Sequence, residues 1–232
     1  MDRAAPIGAG KLEGRRGRGS GAAKRPPIRT PERWEFDVLR LLAEQAAVPF
    51  DQLARFLGCE PEQAARVARH LTKAGYADYG RTLTYEPHWA WLTTRGARFS
   101  GMEFPAKPPK VGAMARMRAV NEVRLHIATR APQARWVCAR SIVREQGKRG
   151  YRPNAIVEVG RERHALLVKL GFQSLERERD ILETQMARHD AVVVFCAPSP
   201  EKQLERLAAE HRWPKLVVRP MPKPQSQGCR PA

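Results

Sequence analysis

The chain has 232 residues, of which 42% are hydrophobic, so it is long enough for one or two domains with a sizeable core. Its 42 Lys and Arg against 24 Asp and Glu give a formal net charge of +18 and a sequence pI of about 10.7, an excess that points to a polyanionic partner, nucleic acid before an anionic membrane surface. No apolar run approaches the ~20 residues of a spanning helix, and the opening "MDRAAPIGAGKLEGRRGRGSG" lacks the apolar centre of a secretory signal.

Residues 1–30 are rich in Gly, Ala, Arg and Pro and carry eight Lys or Arg against two acids. They read as a disordered basic arm, suited to nonspecific phosphate contact through counterion release. A first folded block is expected over 31–100. "TPERWEFDVLRLLAEQA" predicts a helix with Thr30 as N-cap, Pro31 at its first position and a buried stripe of Trp34, Val38, Leu41 and Leu42. "PFDQLARFLG" predicts a short helix closed by Gly58, with Phe50, Leu53, Ala54 and Leu57 inward. "CEPEQAARVARHLTKAG" predicts a third helix, with Ala64, Val67, Ala68 and Leu71 facing the core.

The outward face of that third helix carries Gln63, Arg66, Arg69, His70 and Lys73, with no acid between Gln63 and Lys73. Donors on one side of a helix that follows a short turn are the layout of a helix-turn-helix. There arginine can read guanine and glutamine can read adenine in the major groove. "YADYGRTLTYEPHWAWLTTRG" then predicts a hairpin that turns at Gly80-Arg81 and ends at Leu92, with Thr93 or Thr94 capping a short helix. Arg81 at the tip is placed to reach a phosphate or the minor groove. Three helices and a hairpin make a winged helix-turn-helix. The step "LTTRGAR" resembles the leucine-threonine entry into a glycine-containing helix that closes many winged regulators.

"GMEFPAKPPK", residues 101–110, has linker composition. The second block, 111–219, predicts a long helix ("VGAMARMRAVNEVRLHIATRAP") with a broad apolar stripe of Met117, Val120, Val123, Leu125 and Ile127. After it come the strand "ARWVCA", a short helix or turn "RSIVREQGKRG", and the strands "NAIVEVG" and "HALLVKL". A helix capped by Ser174, the strand "DAVVVFCA", a helix with Ser199 as N-cap and Pro200 at N1, and the strand "KLVVRP" complete it. This order implies right-handed crossovers and a mixed sheet compatible with a restriction-endonuclease-like core. The expected class is α+β, a winged helix-turn-helix followed by that mixed-sheet domain. Residues 220–232 read as a disordered tail.

Cys59, Cys138, Cys196 and Cys229 make no CxxC pair and suit a reducing cytoplasm as structural thiols. The six histidines show no metal spacing, and His126 reads as a packed or rim residue. No P-loop, GxGxxG or Ser-His-Asp order is present, so neither a cofactor nor a small-molecule substrate is expected.

The winged helix, "AVNEVRLHIATRAP" and "RPNAIVEV…ALLVKL" together resemble the replication-relaxation family of actinobacterial plasmids and mobile elements, over about residues 32–196. The resemblance implies a protein of the nucleoid that binds double-stranded DNA in replication, transfer or transcriptional regulation of such an element. It implies a PD-(D/E)xK-like pattern in the second block. In such a site an aspartate and a glutamate hold Mg²⁺ and a lysine assists the attacking water. Here Asn154 and Leu167 stand at the acid positions and only Lys169 matches, so the domain is expected to be noncatalytic. It would then serve homodimerisation, partner docking or weaker DNA contact. The alternative is a divergent Mg²⁺ nuclease using Glu122, Glu158 and Lys169. Glu158 lies four residues from Asn154, on the same strand face.

Overall fold

The computed structural model describes residues 29–81, 86–102, 104–147 and 150–224. Most of the basic arm, residues 82–85 of the hairpin loop, Cys229 and most of the tail lie outside the described residues. The fold is mixed α and β with two sheets.

The first block runs α1 (Arg33–Gln45), β1 (Ala47–Pro49), α2 (Phe50–Leu57), α3 (Pro61–Lys73), β2 (Ala77–Gly80), β3 (Trp89–Leu92) and α4 (Thr94–Phe99). Its three strands are antiparallel in the order β1-β3-β2. Helix α1 begins later than expected. Glu32 rather than Thr30 is its N-cap, and the Glu32 side chain and Glu35 form a reciprocal capping box. The buried phase shifts accordingly to Glu35, Val38, Leu39 and Leu42, and Trp34 stands 40% exposed instead of in the core. Helix α2 ends at Gly58, which takes the left-handed conformation (φ +63°), as glycine does at little steric cost. The buried face of α3 is Ala64, Ala68 and Leu71, with Val67 at its margin. β1 was not anticipated. Three residues between two helices are too short to show an alternating pattern, and it pairs with β3 through Ala47, Val48 and Pro49.

The hairpin differs from the two-residue turn expected at Gly80-Arg81. Gly80 pairs with Trp89, so Arg81 directly follows the last paired residue of β2 and is not joined to β3 by a two-residue turn. At the other end of β3, Thr93 caps α4 by accepting a hydrogen bond from the Gly96 amide at 3.1 Å.

The second block runs α5 (Val111–Arg130), β4 (Arg135–Cys138), α6 (Ala139–Gln146), β5 (Ala155–Val159), β6 (Glu162–Lys169), α7 (Leu175–Met186), β7 (Ala191–Cys196), α8 (Pro198–His211) and β8 (Leu216–Pro220). The sheet order is β4-β5-β6-β7-β8. The first three strands form an antiparallel meander, and the β6–β7 and β7–β8 pairs are parallel across α7 and α8. Alternation along β6 divides its residues between two layers. Ala165 and Leu167 pack against Ile181, Leu182, Leu204 and Leu207 of α7 and α8. Leu166 and Val168 pack against Ala119 and Val123 of α5. Helix α8 starts two residues earlier than expected, with Ala197 as N-cap and Pro198 at the first position.

Helix α5 joins the two blocks, which accounts for its broad stripe. One side covers the five-stranded sheet. The other carries Asn121, whose Nδ2 donates to the Ala47 carbonyl at 3.3 Å, and Arg124, which pairs with Glu44 of α1 at 2.5 Å. The described residues of 101–110 form no helix or strand, yet they are fastened down. Phe104 is buried, the Arg140 guanidinium lies 4.5 Å from its ring centre, and Arg140 donates to the carbonyls of Pro105 and Ala43, each at 2.7 Å. No described helix is long and apolar enough to cross a membrane.

Glu35 makes one stability prediction. Burial pushes its carboxyl upward, but hydrogen bonds from the Glu32 amide, Arg29 and His70 outweigh it and hold it below the ordinary value of 4.5. A depressed carboxylate stabilises the fold above its unfolded pKa and loses that contribution as pH falls through the folded value. Urea unfolding at pH 7 and at about pH 3 should therefore show a larger acid loss in the wild type than in Glu35→Gln. Equal losses would mean that Glu35 is not held as its contacts imply.

Candidate nucleic-acid interface

Helix α3 follows α2 after a three-residue turn, and Pro61 at its first position starts it beside the Glu60 cap. Arg66, Arg69 and Lys73 are exposed on it, successive ones about one turn apart. Arg66 Nε reaches the Glu62 carbonyl of its own helix at 3.5 Å, and the remaining two side chains of the predicted face are engaged with other side chains or caps. Gln63 is the N3 residue of a capping box, and its carbonyl accepts from the Glu60 amide at 3.2 Å. Bidentate adenine reading needs that oxygen together with the NH₂ group, so in this conformation Gln63 shapes the helix start rather than reading a base. His70 Nε2 lies 2.8 Å from Glu35 Oε1 and 3.1 Å from Arg29 Nη2, and its ring is 5.4 Å from that of Trp34.

Glu35 and Arg29 escaped the sequence reading. Glu35 is fully buried, pairs with Arg29, and anchors both Arg29 and the α3 residue His70 to α1. The Tyr76 hydroxyl also donates to the Arg29 carbonyl. The described chain thus begins beside the basic face of α3. Arg81 is exposed at the end of β2, and exposed Phe36 and Trp34 stand on α1.

The three alternative nuclease residues do not converge. Glu122 is buried against α2, where Arg55 donates to both its oxygens at 2.6 and 2.7 Å and Gln52 donates at 3.2 Å. Glu158 pairs with Arg135 at 2.5 Å and Arg163 at 3.3 Å. Four residues along a strand span ~13 Å, which separates Glu158 from the Asn154 end despite their shared face. Lys169 binds Glu178 of α7 at 2.5 Å. Asn154 Oδ1 accepts from the Val168 amide at 2.8 Å, so it pins β6 to the chain before β5. Leu167 is packed in the apolar layer under α7. Among the described residues no three His, Cys, Asp or Glu side chains are grouped to hold a metal.

The sequence reading did not single out Glu178, in the first turn of α7. It is fully buried. The available signal was its phase, three and four residues before the buried Ile181 and Leu182. His126 packs edge-on against Phe195 at 5.9 Å, and burial lowers its pKa. Burial pushes the Cys196 thiol up to about 11, which keeps it protonated.

Comparison with family models, with curated proteins and with solved structures finds no match for this chain.

Proposed function

We propose that this chain is a noncatalytic protein of the cytoplasm and nucleoid that binds double-stranded DNA, acting in replication, transfer or regulation of a plasmid or mobile element. Its first block is read as a winged helix-turn-helix. The observation that carries the reading is the row of exposed Arg66, Arg69 and Lys73 on the helix that follows a three-residue turn, with no acid between Gln63 and Lys73. The element order α1-β1-α2-α3-β2-β3 and the sheet order β1-β3-β2 support it. So does the approach of Arg29, at the end of the basic arm, to His70. The +18 charge supplies the long-range attraction. The biological setting rests on the resemblance to the replication-relaxation family.

Arg66, Arg69, Lys73 and Arg81 are the contacts expected to matter most. Log K for duplex DNA should fall linearly and steeply with log salt. Arg66→Ala with Arg69→Ala should lower affinity at fixed salt by at least about tenfold, since a base contact contributes roughly 1–3 kcal/mol and a lost phosphate contact reduces the salt slope by about 1. Fluorescence anisotropy over a salt series measures both. A flat salt response of the wild type, or unchanged binding in the double variant, would overturn the proposal.

A further inference from the structure

The cleft between β6 and α7, where a metal nuclease would hold its cations, has the opposite electrostatic character here. It encloses about 450 Å³, within the ~300–1,000 Å³ of small-molecule sites. Four cationic side chains line it: Arg116 from α5, Arg152 from the chain before β5, Lys169 at the end of β6 and Arg177 from the first turn of α7. A single carboxylate, Glu178, lines it with them, and this one is buried and bonded to Lys169. Glu178 also accepts from the Gln173 amide at 3.4 Å, and the Arg177 amide donates to Ser174 Oγ at 3.3 Å, which orders the amino-terminal turn of α7 at the cleft wall. The Arg177 guanidinium lies 5.9 Å from the ring centre of Tyr151.

From this arrangement the geometry points to a metal-independent phosphate site in the cleft, formed chiefly by Arg116 and Arg177. Lys169 neutralises Glu178, and the exposed Arg116 and Arg177 at the cleft leave it positive, which attracts an anion and repels Mg²⁺. Guanidinium forks match the oxygen spacing of a phosphate and hold it bidentately. The dipole of α7 adds to the same sign of potential at its amino-terminal end. Under the proposed DNA-binding function, on which the source of the ligand rests, the occupant is a backbone phosphate of the duplex. The second block then becomes a second DNA contact instead of a catalytic unit. Lys169 is held by Glu178 as a structural pair and shapes the wall.

Two measurements on the full chain, both with EDTA present, test this. Inorganic phosphate and pyrophosphate, titrated against the thermal midpoint, should raise it by a few degrees once well above Kd. Arg116→Ala with Arg177→Ala should abolish the rise, whereas Arg161→Ala, an exposed charge outside the cleft, should leave it intact. In duplex binding, the Arg116/Arg177 double variant should reduce the salt slope by about 1–2 relative to Arg161→Ala. No midpoint rise in the wild type, or a rise equal in the cleft variant and the Arg161 control, would overturn the site. A phosphate response confined to the cleft in a protein that does not bind duplex DNA would uphold the site and sink the DNA reading instead. Duplex binding weakened by the α3 variants and unchanged by the cleft variants would uphold the DNA reading and remove the cleft as its second contact.

Discussion

Glu122→Ala should destabilise the fold by about 3–5 kcal/mol, the usual cost of stranding one member of a buried ion pair. Glu122 is 6% exposed, and the Arg55 side chain that grips both its oxygens is 18% exposed. Removing the carboxylate leaves the guanidinium desolvated and takes a partner from Gln52, which keeps only the Arg118 carbonyl at 2.9 Å. Arg118 meanwhile pairs with Asp51 of α2, so α5 remains attached to the first block at a weaker seam. Chemical denaturation at pH 7 measures the loss. Exchanging both partners for apolar residues, Arg55→Met with Glu122→Leu, should recover most of it, because the pair itself contributes little beyond the desolvation it cancels. A loss below about 1 kcal/mol in Glu122→Ala would show that the pair is solvated rather than buried.

Gly96→Ala is expected to be similarly damaging, for a steric reason. A Cβ on Gly96 would stand 1.8 Å from the Tyr76 carbonyl oxygen and 2.8 Å from its carbon. That carbonyl is held in place by the Thr93 amide at 3.0 Å and by the Thr93 hydroxyl at 3.1 Å. Overpacking costs typically about 1–3 kcal/mol, and a clash with fixed backbone belongs at the upper end or above. Gly112 supplies the contrast. It lies in the first turn of α5 with nothing within 4 Å of a built Cβ, so Gly112→Ala should be neutral or stabilising by up to about 1 kcal/mol. Thermal unfolding of the two variants should therefore shift in opposite directions or differ by several degrees. Equal midpoints would mean that α4 can slide off Tyr76 freely. The glycine in "LTTRGAR" is thus explained by close packing of α4 on the chain between α3 and β2, without any role in conformation at positive φ.

Regular, locally coded features of this chain could be read without coordinates. The apolar spacing of α2 and α3, Gly58 as a left-handed cap, Thr93 and Ser174 as N-caps, and the apolar runs of β5, β6 and β7 depend on neighbours within a few residues. Features with competing local signals were read wrongly. Thr30-Pro31 looked like a helix start, but Glu32 with Glu35 closes two amides at once and moves the boundary. Ser199-Pro200 lost to Ala197-Pro198 at α8. Trp34 was assigned to the core from its spacing, yet Glu35 occupies that phase because Arg29 and His70 satisfy its charge there.

By itself the sequence determined the α+β class, the order of nearly all elements and the basic residues exposed on α3. Each of these is a matter of residue type and short-range spacing. Only the tertiary structure decided where the charges point. It turned Glu122 toward Arg55, Glu158 toward Arg135 and Arg163, and Lys169 toward Glu178, while Gln63 and His70 folded back onto their own block. It also made α5 the shared wall of both blocks. Burial forces each carboxylate to the nearest available cation, and which cation is nearest depends on how the elements pack, across 9 residues for Lys169–Glu178, 23 for Glu158–Arg135 and 67 for Glu122–Arg55, which no local pattern specifies.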